Sequence, residues 1–356
     1  MDPFITIQQA SASYPVYVGR GLLAKAGSLL EPRGRVFVIT SEALRPRFGT
    51  KVAHSFQPAA DVITMREGEA HKTMATAEEI VTELLDRDAK RDSMAVVVGG
   101  GMIGDTAGFA ASIFLRGIDL VHIPTTLLAQ VDSSLGGKVA VNHAQGKNLI
   151  GSFFPPRAVI SDTSVLSTLS DRDLLSGIFE ALKGGVIGDP SLFELFESSR
   201  KMVVARESAT IDTMVKKAIQ VKAAIVSADE KEADLRRLLN YGHTIAHGIE
   251  AAMHYKGITH GEAVAWGMIG ANTIAVTRGL LQKKEAARIE QAILAYEPLP
   301  LPKLNRKDIL AATAHDKKNT GTARVMVFPR RVGDCVVLSD VTEKEIRAGI
   351  EAVLRM

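Results

Sequence analysis

The sequence predicts an N-terminal α/β domain followed by an all-α domain. In the first 160 residues, short β-branched runs alternate with helical patterns, which is typical of a parallel sheet covered by helices. After about residue 165, apolar residues recur at the spacing of helices instead. We therefore place the boundary at the FFPPR turn and predict domains at residues 1–160 and 161–356.

The individual elements follow from these two patterns. Strands are predicted for VFVIT, DVITM, AVVVGG and LVHIPTT, at residues 36–40, 61–65, 95–100 and 120–126. Helical periodicity predicts helices at residues 76–91, 169–185, 213–230 and 260–277. Ser170 and Asp173 form a capping-box pattern at the start of the second helix. The last helix is apolar almost all round, which predicts that it is buried.

Composition excludes several classes of protein. A hydrophobic content of 46% with 23% charged residues is typical of a globular protein. Cys335 is the only cysteine, and no secretory signal or membrane-spanning run is visible, so we expect a cytoplasmic protein without a membrane partner. A net charge of +3 from scattered basic residues predicts no nucleic-acid partner but leaves small anionic substrates open.

A glycine-rich turn follows the third predicted strand. Gly99, Gly101 and Gly104 match the G-x-G-x-x-G pattern, and the helix behind them offers unpaired N–H groups for a diphosphate. The turn differs from a standard Rossmann fingerprint because it lies deep in the chain and because Asp119 begins a strand instead of ending one. A tight turn that needs glycine only for its backbone is the alternative. We favour a phosphate-binding turn of non-standard type.

Four of the nine histidines lie within residues 243–260. His243 and His247 have i,i+4 spacing and share one helix face, but HTIAH lacks the glutamate of the HExxH motif. Together with Glu180, two histidines would leave an open coordination position on a divalent metal. The alternatives are histidines without a ligand role and a surface ion pair between Glu180 and Lys183.

Several polar residues lie in apolar or glycine-rich surroundings. Lys222 occupies the apolar stripe of its helix, where it either extends to solvent or binds an anion. The glycine-rich connection at residues 131–151 carries lysines that can bind phosphate as point charges, although GKNLIG is not a Walker loop. The basic turn HDKKNTG at residues 315–321 has the composition of a solvated surface turn.

These segments together resemble the 3-dehydroquinate synthase family. The resemblance rests on GGGMIGDTAGFAASIFLRG, PTTLLAQVDSSLGGK, GKNLIGSFFPP, FEALKGGVIGD, LLNYGHTIAHGIEA and THGEAVAWGM, which follow in unbroken order over about residues 60–320. It implies the dehydroquinate synthase-like fold, with a Rossmann-like NAD-binding domain, a helical metal- and substrate-binding domain and an active site between them. Other sugar phosphate cyclases share these motifs and are the nearest alternative.

The resemblance also implies ligands for named residues. Glu180, His243 and His260 would bind one divalent metal, Zn²⁺ or Co²⁺, in each subunit. Contacts with NAD⁺ are implied for Glu67, Glu69, Lys72, Gly101, Met102, Ile103, Gly104, Asp105, Thr125, Thr126, Lys138, Lys147, Val165, Leu166, Ser167 and Thr168. Contacts with substrate are implied for Asp132, Lys138, Lys147, Asn148, Lys183, Lys222, Arg236, Asn240, the acid/base residue His247, and Lys317 or Lys318.

The implied reaction converts 3-deoxy-D-arabino-heptulosonate 7-phosphate, a small anionic sugar-acid phosphate, to 3-dehydroquinate and phosphate. Its steps are transient oxidation by NAD⁺, phosphate elimination, reduction, ring opening and an intramolecular aldol reaction. A homodimer is implied in which Arg116 reaches the phosphate of the neighbouring subunit, whereas the sequence alone makes Arg116 a cation near a helix C-terminus. A metal-dependent polyol dehydrogenase of related fold and a non-catalytic NAD- and metal-binding protein are the competing function classes.

Overall fold

The structure, a computed structural model, describes residues 1–232, 234–314 and 324–356. The chain divides into two compact units, Met1–Leu169 and Ser170–Met356. This boundary lies slightly later than the predicted one, because the strand at Ala158–Asp162 still pairs inside the sheet of the first unit.

The first unit is built from nine strands and four α-helices. Its strands are β1 (Ile5–Gln8), β2 (Ser13–Gly19), β3 (Val36–Ser41), β4 (Asp61–Met65), β5 (Met94–Gly99), β6 (Asp119–Pro124), β7 (Lys138–His143), β8 (Gly146–Phe153) and β9 (Ala158–Asp162). Its helices are α1 (Ala26–Leu29), α2 (Thr50–Ala53), α3 (Met74–Asp86) and α4 (Gly101–Ile113), with short 3₁₀ or π turns at Leu23–Lys25, Arg45–Gly49, Glu69–His71, Phe114–Arg116, Ala129–Ser133 and Thr163–Thr168.

Seven of these strands form one sheet in the order β1-β2-β9-β6-β5-β3-β4. All neighbours are parallel except the edge pair β1–β2. Every residue of β5 is buried, which explains its continuous apolar sequence MAVVVG, because a central parallel strand is covered on both faces. The four predicted strands correspond to β3, β4, β5 and β6, and the parallel α/β architecture is confirmed.

The glycine-rich connection at residues 131–151 contains regular structure that the sequence pattern did not predict. Strands β7 and β8 form an antiparallel hairpin outside the main sheet, with Lys138 opposite Phe153. The hairpin is attached to the end of α4 by a hydrogen bond from Ser152 Oγ to Ser112 Oγ (3.0 Å). It therefore presents Lys147 and Asn148 from a strand and not from an irregular loop.

The second unit is mainly helical. It contains α5 (Asp171–Gly188), α6 (Pro190–Ser198), α7 (Arg200–Val204), α8 (Ser208–Ala228), α9 (His243–Ala252), α10 (His260–Thr277), α11 (Lys283–Leu294), α12 (Arg306–Ala314) and α13 (Glu343–Val353). A 3₁₀ turn spans Leu235–Asn240, and β10 (Arg324–Arg331) and β11 (Asp334–Val341) form a hairpin. This hairpin is an addition to the predicted all-α domain. The helical periodicity of the flanking sequence gives no indication of its two strands.

Helix α10 is the buried centre of the second unit, as its sequence predicts. Glycines in α10 allow the backbones of two neighbouring segments to pack directly against its own backbone. A Cβ atom at Gly261 would lie 2.0 Å from the Ser176 carbonyl oxygen of α5, and one at Gly267 would lie 2.0 Å from the Gly242 carbonyl oxygen. Gly242 has a left-handed backbone (φ 80°) at the start of α9, which is a conformation that glycine adopts without strain. These glycines bring the starts of α9 and α10 close to α5.

Across the described ranges, no helix combines the length and the apolar character that crossing a bilayer requires.

Candidate active site

The glycine turn lies at a point where ligands commonly bind in α/β sheets. The strand order β4-β3-β5-β6-β9 means that the chain moves outward in opposite directions from β3 and from β5. Ligands bind beyond the carboxyl ends of strands at such a switch point. The turn after β5 is therefore well placed for a ligand although it is not the first turn of the sheet.

The start of α4 has unsatisfied backbone donors. Gly100 is the N-cap residue and supplies no side-chain hydrogen bond to the first turn, so the N–H groups there remain available to an anion. Thr125 N–H donates to the Gly99 carbonyl (3.0 Å), which holds the end of β6 against the turn. A small cavity beneath the turn is lined by Gly104, Asp105, His122 and Ser133 among others.

Lys72, Asp105 and Asn148 are brought together although they are distant in sequence. Lys72 is 5% exposed, and its ammonium group donates to Asp105 Oδ2 and to Asn148 Oδ1, both at 2.5 Å. Burial raises the pKa of Asp105, and the Lys72 charge opposes this shift. Asn148 has a left-handed backbone (φ 54°), and its N–H donates to Asn142 Oδ1 (3.0 Å). The hairpin and the first turn of α4 therefore share one polar cluster.

The two glutamates of REGEAHK lie at the edge of this cluster. Ser41, at the carboxyl end of β3, donates its hydroxyl to Glu67. Glu69 Oε1 accepts from Asn142 Nδ2 (2.8 Å) and lies 3.9 Å from Lys147 Nζ. Of the other predicted cofactor residues, Met102, Ile103 and Gly104 lie in the first turn of α4, and Thr126 Oγ1 accepts from Ala129 N–H (3.2 Å).

The predicted loop at 165–168 forms part of the Thr163–Thr168 turn after β9. Val165 and Leu166 are buried in the core. Ser167 and Thr168 donate their hydroxyl groups to carbonyls of the same turn, those of Ser164 and Val165. The turn can therefore meet a nucleotide mainly through its backbone and its two exposed polar residues.

Arg116 lies in a strained segment. Leu115 and Arg116 both have left-handed backbones, with φ of 49° and 70°. Two consecutive non-glycine residues in this region are uncommon, and such strain often occurs at functional sites. Leu115 is 39% exposed, and Ile113 and Phe153 are similarly exposed. The turn therefore presents a cation together with exposed apolar side chains.

Glu180, His243 and His260 form a candidate metal centre in the second unit, with their ligand atoms within 4.8 Å of one another. Glu180 lies in α5, His243 begins α9 and His260 begins α10. The distances from Glu180 Oε1 are 3.7 Å to His243 Nε2 and 3.4 Å to His260 Nε2. Ligands of a tetrahedral Zn²⁺ with bonds of about 2.0–2.1 Å are about 3.3 Å apart, so the spacing suits such an ion.

The Glu180 carboxylate is buried without a hydrogen bond. Among the described residues, neither of its oxygens has a hydrogen-bond partner, although Lys183 Nζ lies 2.5 Å from Oε2. The side chains of Glu180 and Lys183 are 1% and 3% exposed, so the pair is not the surface ion pair of the alternative interpretation. Lys183 therefore pairs with Oε2, whereas Oε1 faces the Nε2 atoms of His243 and His260 and is the oxygen available to a bound cation.

Both histidines are oriented by a second contact. His243 Nδ1 lies 3.2 Å from the Tyr241 carbonyl oxygen, and His260 Nδ1 lies 3.5 Å from Glu250 Oε2. In each ring, Nε2 therefore faces Glu180 and Nδ1 faces an acceptor. Neither Tyr241 nor Glu250 was predicted from the sequence to belong to the site. Glu250 is three residues after His247 and seven after His243, so its helical spacing placed it on the same face of α9.

The charges in this cluster shift one another. Burial would raise the pKa of Glu180, but Lys183 and the two histidines hold it well below its ordinary value. Burial lowers the pKa of His243 well below its ordinary value, and the Lys183 charge lowers it further. Burial also acts to lower the pKa of His260, yet the adjacent carboxylates of Glu180 and Glu250 outweigh it and raise this pKa to about 10.

The predicted anion-binding residues of the second unit lie in two environments. Lys222 and Arg236 are 8% and 2% exposed, so Lys222 does not extend to open solvent. Arg236 donates to the Glu230 carbonyl oxygen. Asn240 and His247 line a cleft together with His243, and the rings of His247 and His243 are 5.5 Å apart. Lys317 and Lys318 lie outside the described residues.

Comparison with known proteins identifies the family. The profile of the 3-dehydroquinate synthase N-terminal part matches residues 62–176, and that of the C-terminal part matches residues 177–319. The chain belongs to the 3-dehydroquinate synthase family. One relative, a 3-dehydroquinate synthase from Koribacter versatilis (strain Ellin345), is 40% identical over 354 residues, which cover 98% of this chain and 97% of the relative.

Solved structures of related cyclases share the fold of this 3-dehydroquinate synthase family member. The structure of 2-deoxy-scyllo-inosose synthase with carbaglucose-6-phosphate, NAD⁺ and Co²⁺ has a TM-score of 0.88 and 28% identity, with 99% of each chain covered. ValA, the 2-epi-5-epi-valiolone synthase of Streptomyces hygroscopicus subsp. jinggangensis 5008, with NAD⁺ and Zn²⁺ bound, has a TM-score of 0.87 and 30% identity over 97% of each chain. The predicted fold class is confirmed.

Proposed function

We propose that this chain converts 3-deoxy-D-arabino-heptulosonate 7-phosphate to 3-dehydroquinate and phosphate, with NAD⁺ and one divalent metal as cofactors. Family membership over nearly the whole chain supports this reaction. The observation that carries the metal dependence is the buried Glu180 carboxylate, whose Oε1 faces the Nε2 nitrogens of His243 and His260. The proposed location is the cytoplasm, in keeping with a single cysteine.

The residues of the second unit fit a catalytic Zn²⁺ or Co²⁺. A carboxylate oxygen and two imidazole nitrogens are a ligand set of such metals, and three protein ligands leave a position for substrate. When bound, the metal would polarise a substrate hydroxyl and lower its pKa. Glu180, His243 and His260 would hold the ion, and His247 would exchange protons with the substrate as acid and base.

The first unit fits NAD⁺ at the glycine turn. The free N–H groups at the start of α4 suit the diphosphate, and Glu67, Glu69 and Thr125 lie at the same edge of the sheet. When bound, NAD⁺ would accept a hydride from the substrate and later return it. Lys72 is held by Asp105 and Asn148 in this structure, so its proposed role in nucleotide binding operates from within that cluster.

The anionic groups of the substrate require cationic residues. We assign this role to Lys138 and Lys147 in the first unit and to Lys183, Lys222 and Arg236 in the second. Asp132, Asn148 and Asn240 would accept or donate hydrogen bonds to substrate hydroxyl groups. The functions of Lys317 and Lys318 are proposed from the family resemblance alone.

We further propose a homodimer in which Arg116 contributes to the active site of the neighbouring subunit. The left-handed backbone at Leu115 and Arg116 supports a special role for this turn. The exposed apolar side chains of Ile113, Leu115 and Phe153 are suited to burial against another chain. Arginine also binds phosphate in a bidentate geometry that lysine cannot reproduce.

One assay separates this function from its alternatives. The purified chain is mixed with NAD⁺, Zn²⁺ and the heptulosonate phosphate, and released phosphate, 3-dehydroquinate and NADH are measured. The proposal requires phosphate and 3-dehydroquinate in equal amounts without net NADH. Lasting NADH would indicate a polyol dehydrogenase. Release of phosphate with a carbocycle other than 3-dehydroquinate would indicate a different cyclase. Absence of turnover would indicate a binding protein.

A pair of variants tests the metal assignment in the same assay. His260→Asn removes a proposed ligand and should abolish both stoichiometric metal and turnover. His254→Asn changes an exposed histidine whose left-handed backbone (φ 51°) asparagine tolerates, so it should retain both. Full metal occupancy in His260→Asn would remove His260 from the proposed ligand set.

A further inference from the structure

The two proposed histidine ligands share an orientation but differ in the oxygen that Nδ1 faces, on the side of the ring away from Glu180. In both rings Nε2 faces Glu180 Oε1, and Nδ1 faces an oxygen of the protein. For His243 this oxygen is a backbone carbonyl, that of Tyr241. For His260 it is the carboxylate of Glu250, which lies on a different helix. Of these two histidines, only His260 therefore has a carboxylate as the Nδ1 partner among the described residues.

The position of Glu250 requires a physical reason. Its residue exposure is 5%, and burying a carboxylate costs free energy unless it is paired. Its oxygen Oε2 lies 3.5 Å from His260 Nδ1, which is close to hydrogen-bond distance. The side chain of His260 is one-third exposed, so packing holds it only in part, and a further contact is needed to prevent the ring from rotating away from Glu180.

We propose that Glu250 is a positioning residue that keeps the His260 proton on Nδ1 and presents the Nε2 lone pair to the metal. A carboxylate that accepts from a ligand histidine fixes the tautomer and the ring orientation and makes the imidazole a stronger ligand. Glu250 thus acts through His260 and touches neither metal nor substrate. The inference rests on the metal centre of the proposed function and adds a residue to it.

A second arrangement of the same residues is the competing explanation. His247, Glu250 and His260 also offer ligand atoms within 4.8 Å of one another. A metal at that position would take Nδ1 of His260, because Nδ1 is the nitrogen that faces Glu250. When Nδ1 carries a proton, it has no lone pair to bind a metal at this second position. The two explanations therefore predict different metal stoichiometries and different protonation of one nitrogen.

The test compares two conservative variants of the full chain. Glu250→Gln removes the charge at His260, whereas Glu262→Gln removes a buried carboxylate that caps α10 through Thr259 and binds Arg172. Glu262 is 3% exposed, so the control has a similar burial without a contact to the histidines. Zn²⁺ and Co²⁺ affinities are measured by competition with a chromophoric chelator, and metal content is measured after dialysis.

Glu250→Gln should bind Zn²⁺ about 10- to 100-fold more weakly than the unsubstituted chain, with an altered Co²⁺ absorption spectrum. Glu262→Gln should keep the affinity within about threefold, because glutamine can still form the capping box with Thr259, and its thermal midpoint should fall slightly because the ion pair with Arg172 is lost. Equal affinities of Glu250→Gln and the unsubstituted chain would overturn the inference and leave the metal centre intact. Absence of metal from the unsubstituted chain would instead overturn the metal centre, and the inference with it.

A measurement on the unsubstituted protein avoids dependence on the folding of a variant. Histidine-selective ¹⁵N labelling of the Zn²⁺-loaded chain reports which nitrogen of each ring is protonated, with His260→Asn assigning the His260 signals by their disappearance. The inference requires His260 with Nδ1–H and a metal-bound Nε2. Protonation at Nε2, or two equivalents of tightly bound metal, would show that Glu250 does not have the proposed role.

Discussion

Gly261 is expected to be essential for metal binding although it supplies no ligand atom to the metal. It follows His260 directly and touches α5 at Ser176, one turn before Glu180. A Cβ atom at this position would lie 2.0 Å from the Ser176 carbonyl oxygen and 2.6 Å from Ser176 Cα. Both are backbone atoms, so no side-chain rotation can relieve the clash. Gly261→Ala must therefore separate α10 from α5.

The size of the effect follows from this distance. A carbon–oxygen contact of about 3.3 Å requires the two helices to move apart locally by about 1.3 Å. Metal sites tolerate changes of only about 0.2 Å in ligand distance, and Glu180 and His260 lie on the two helices that separate. We expect the Zn²⁺ affinity of Gly261→Ala to fall at least about 100-fold and its stability to fall by about 1–3 kcal/mol.

Gly184→Ala provides the matched control. Gly184 lies in α5, one turn after Glu180, but a Cβ atom there would meet only Leu192 Cδ2 at 3.9 Å, an ordinary contact. Alanine should stabilise this helix by about 0.5–1 kcal/mol and leave metal affinity unchanged. Chelator competition and urea unfolding followed by circular dichroism measure both quantities. A folded Gly261→Ala chain with unchanged Zn²⁺ affinity would refute the reasoning, as would an equal loss in both variants.

Three further predictions concern other residues. Lys222→Met should lower kcat at least about 100-fold in a chain that remains folded, because the cation proposed to hold the substrate is removed; unchanged kinetics would contradict a substrate role. Arg116→Ala and Glu180→Ala chains, each inactive alone, should regain activity when subunit exchange forms mixed dimers; exchange without activity would show that Arg116 acts within its own chain or not at all. Burial lowers the pKa of His122 from 6.5 to about 4, so as the pH falls the unfolded chain binds a proton on this histidine before the folded chain does. The free energy of unfolding should therefore decrease as the pH falls from about 6.5 towards 4, by about 2 kcal/mol at about pH 5. His122→Gln should lack this loss in urea unfolding, and the same pH dependence in both chains would contradict it.

The regular elements with a strong pattern were predictable from the sequence. Buried parallel strands such as β5 are continuous apolar runs. Helix α10 coincides with the predicted helix at residues 260–277, because its apolar run is too long for a strand. The two hairpins, β7–β8 and β10–β11, were not predicted. Their strands contain glycines or charged residues, and their pairing is fixed by contacts that local periodicity does not encode.

The candidate site was predictable only in part for a related reason. His243 and His247 are recognisable as a pair from their spacing, and Glu180 was a candidate ligand on another helix, but only the family resemblance selected His260 in place of His247 as the second histidine ligand. The role of the Tyr241 carbonyl is a property of the backbone, and no side-chain pattern reveals it. Glu250 shared the helix face of the two histidines, so its spacing was a usable signal. What the spacing lacked was evidence that the carboxylate is buried.

The charges around the proposed metal suggest why so many ionisable groups are buried together. Glu180 and Glu250 carry two negative charges and Lys183 one positive charge, and His260, whose pKa is raised to about 10, adds a second positive charge at neutral pH. The metal-free cluster is therefore close to neutral. We expect a divalent ion to displace the His260 proton from Nε2, after which the two carboxylates, Lys183 and the ion sum to one net positive charge. That charge would favour an anionic sugar phosphate, so we expect the metal to bind first and the substrate second.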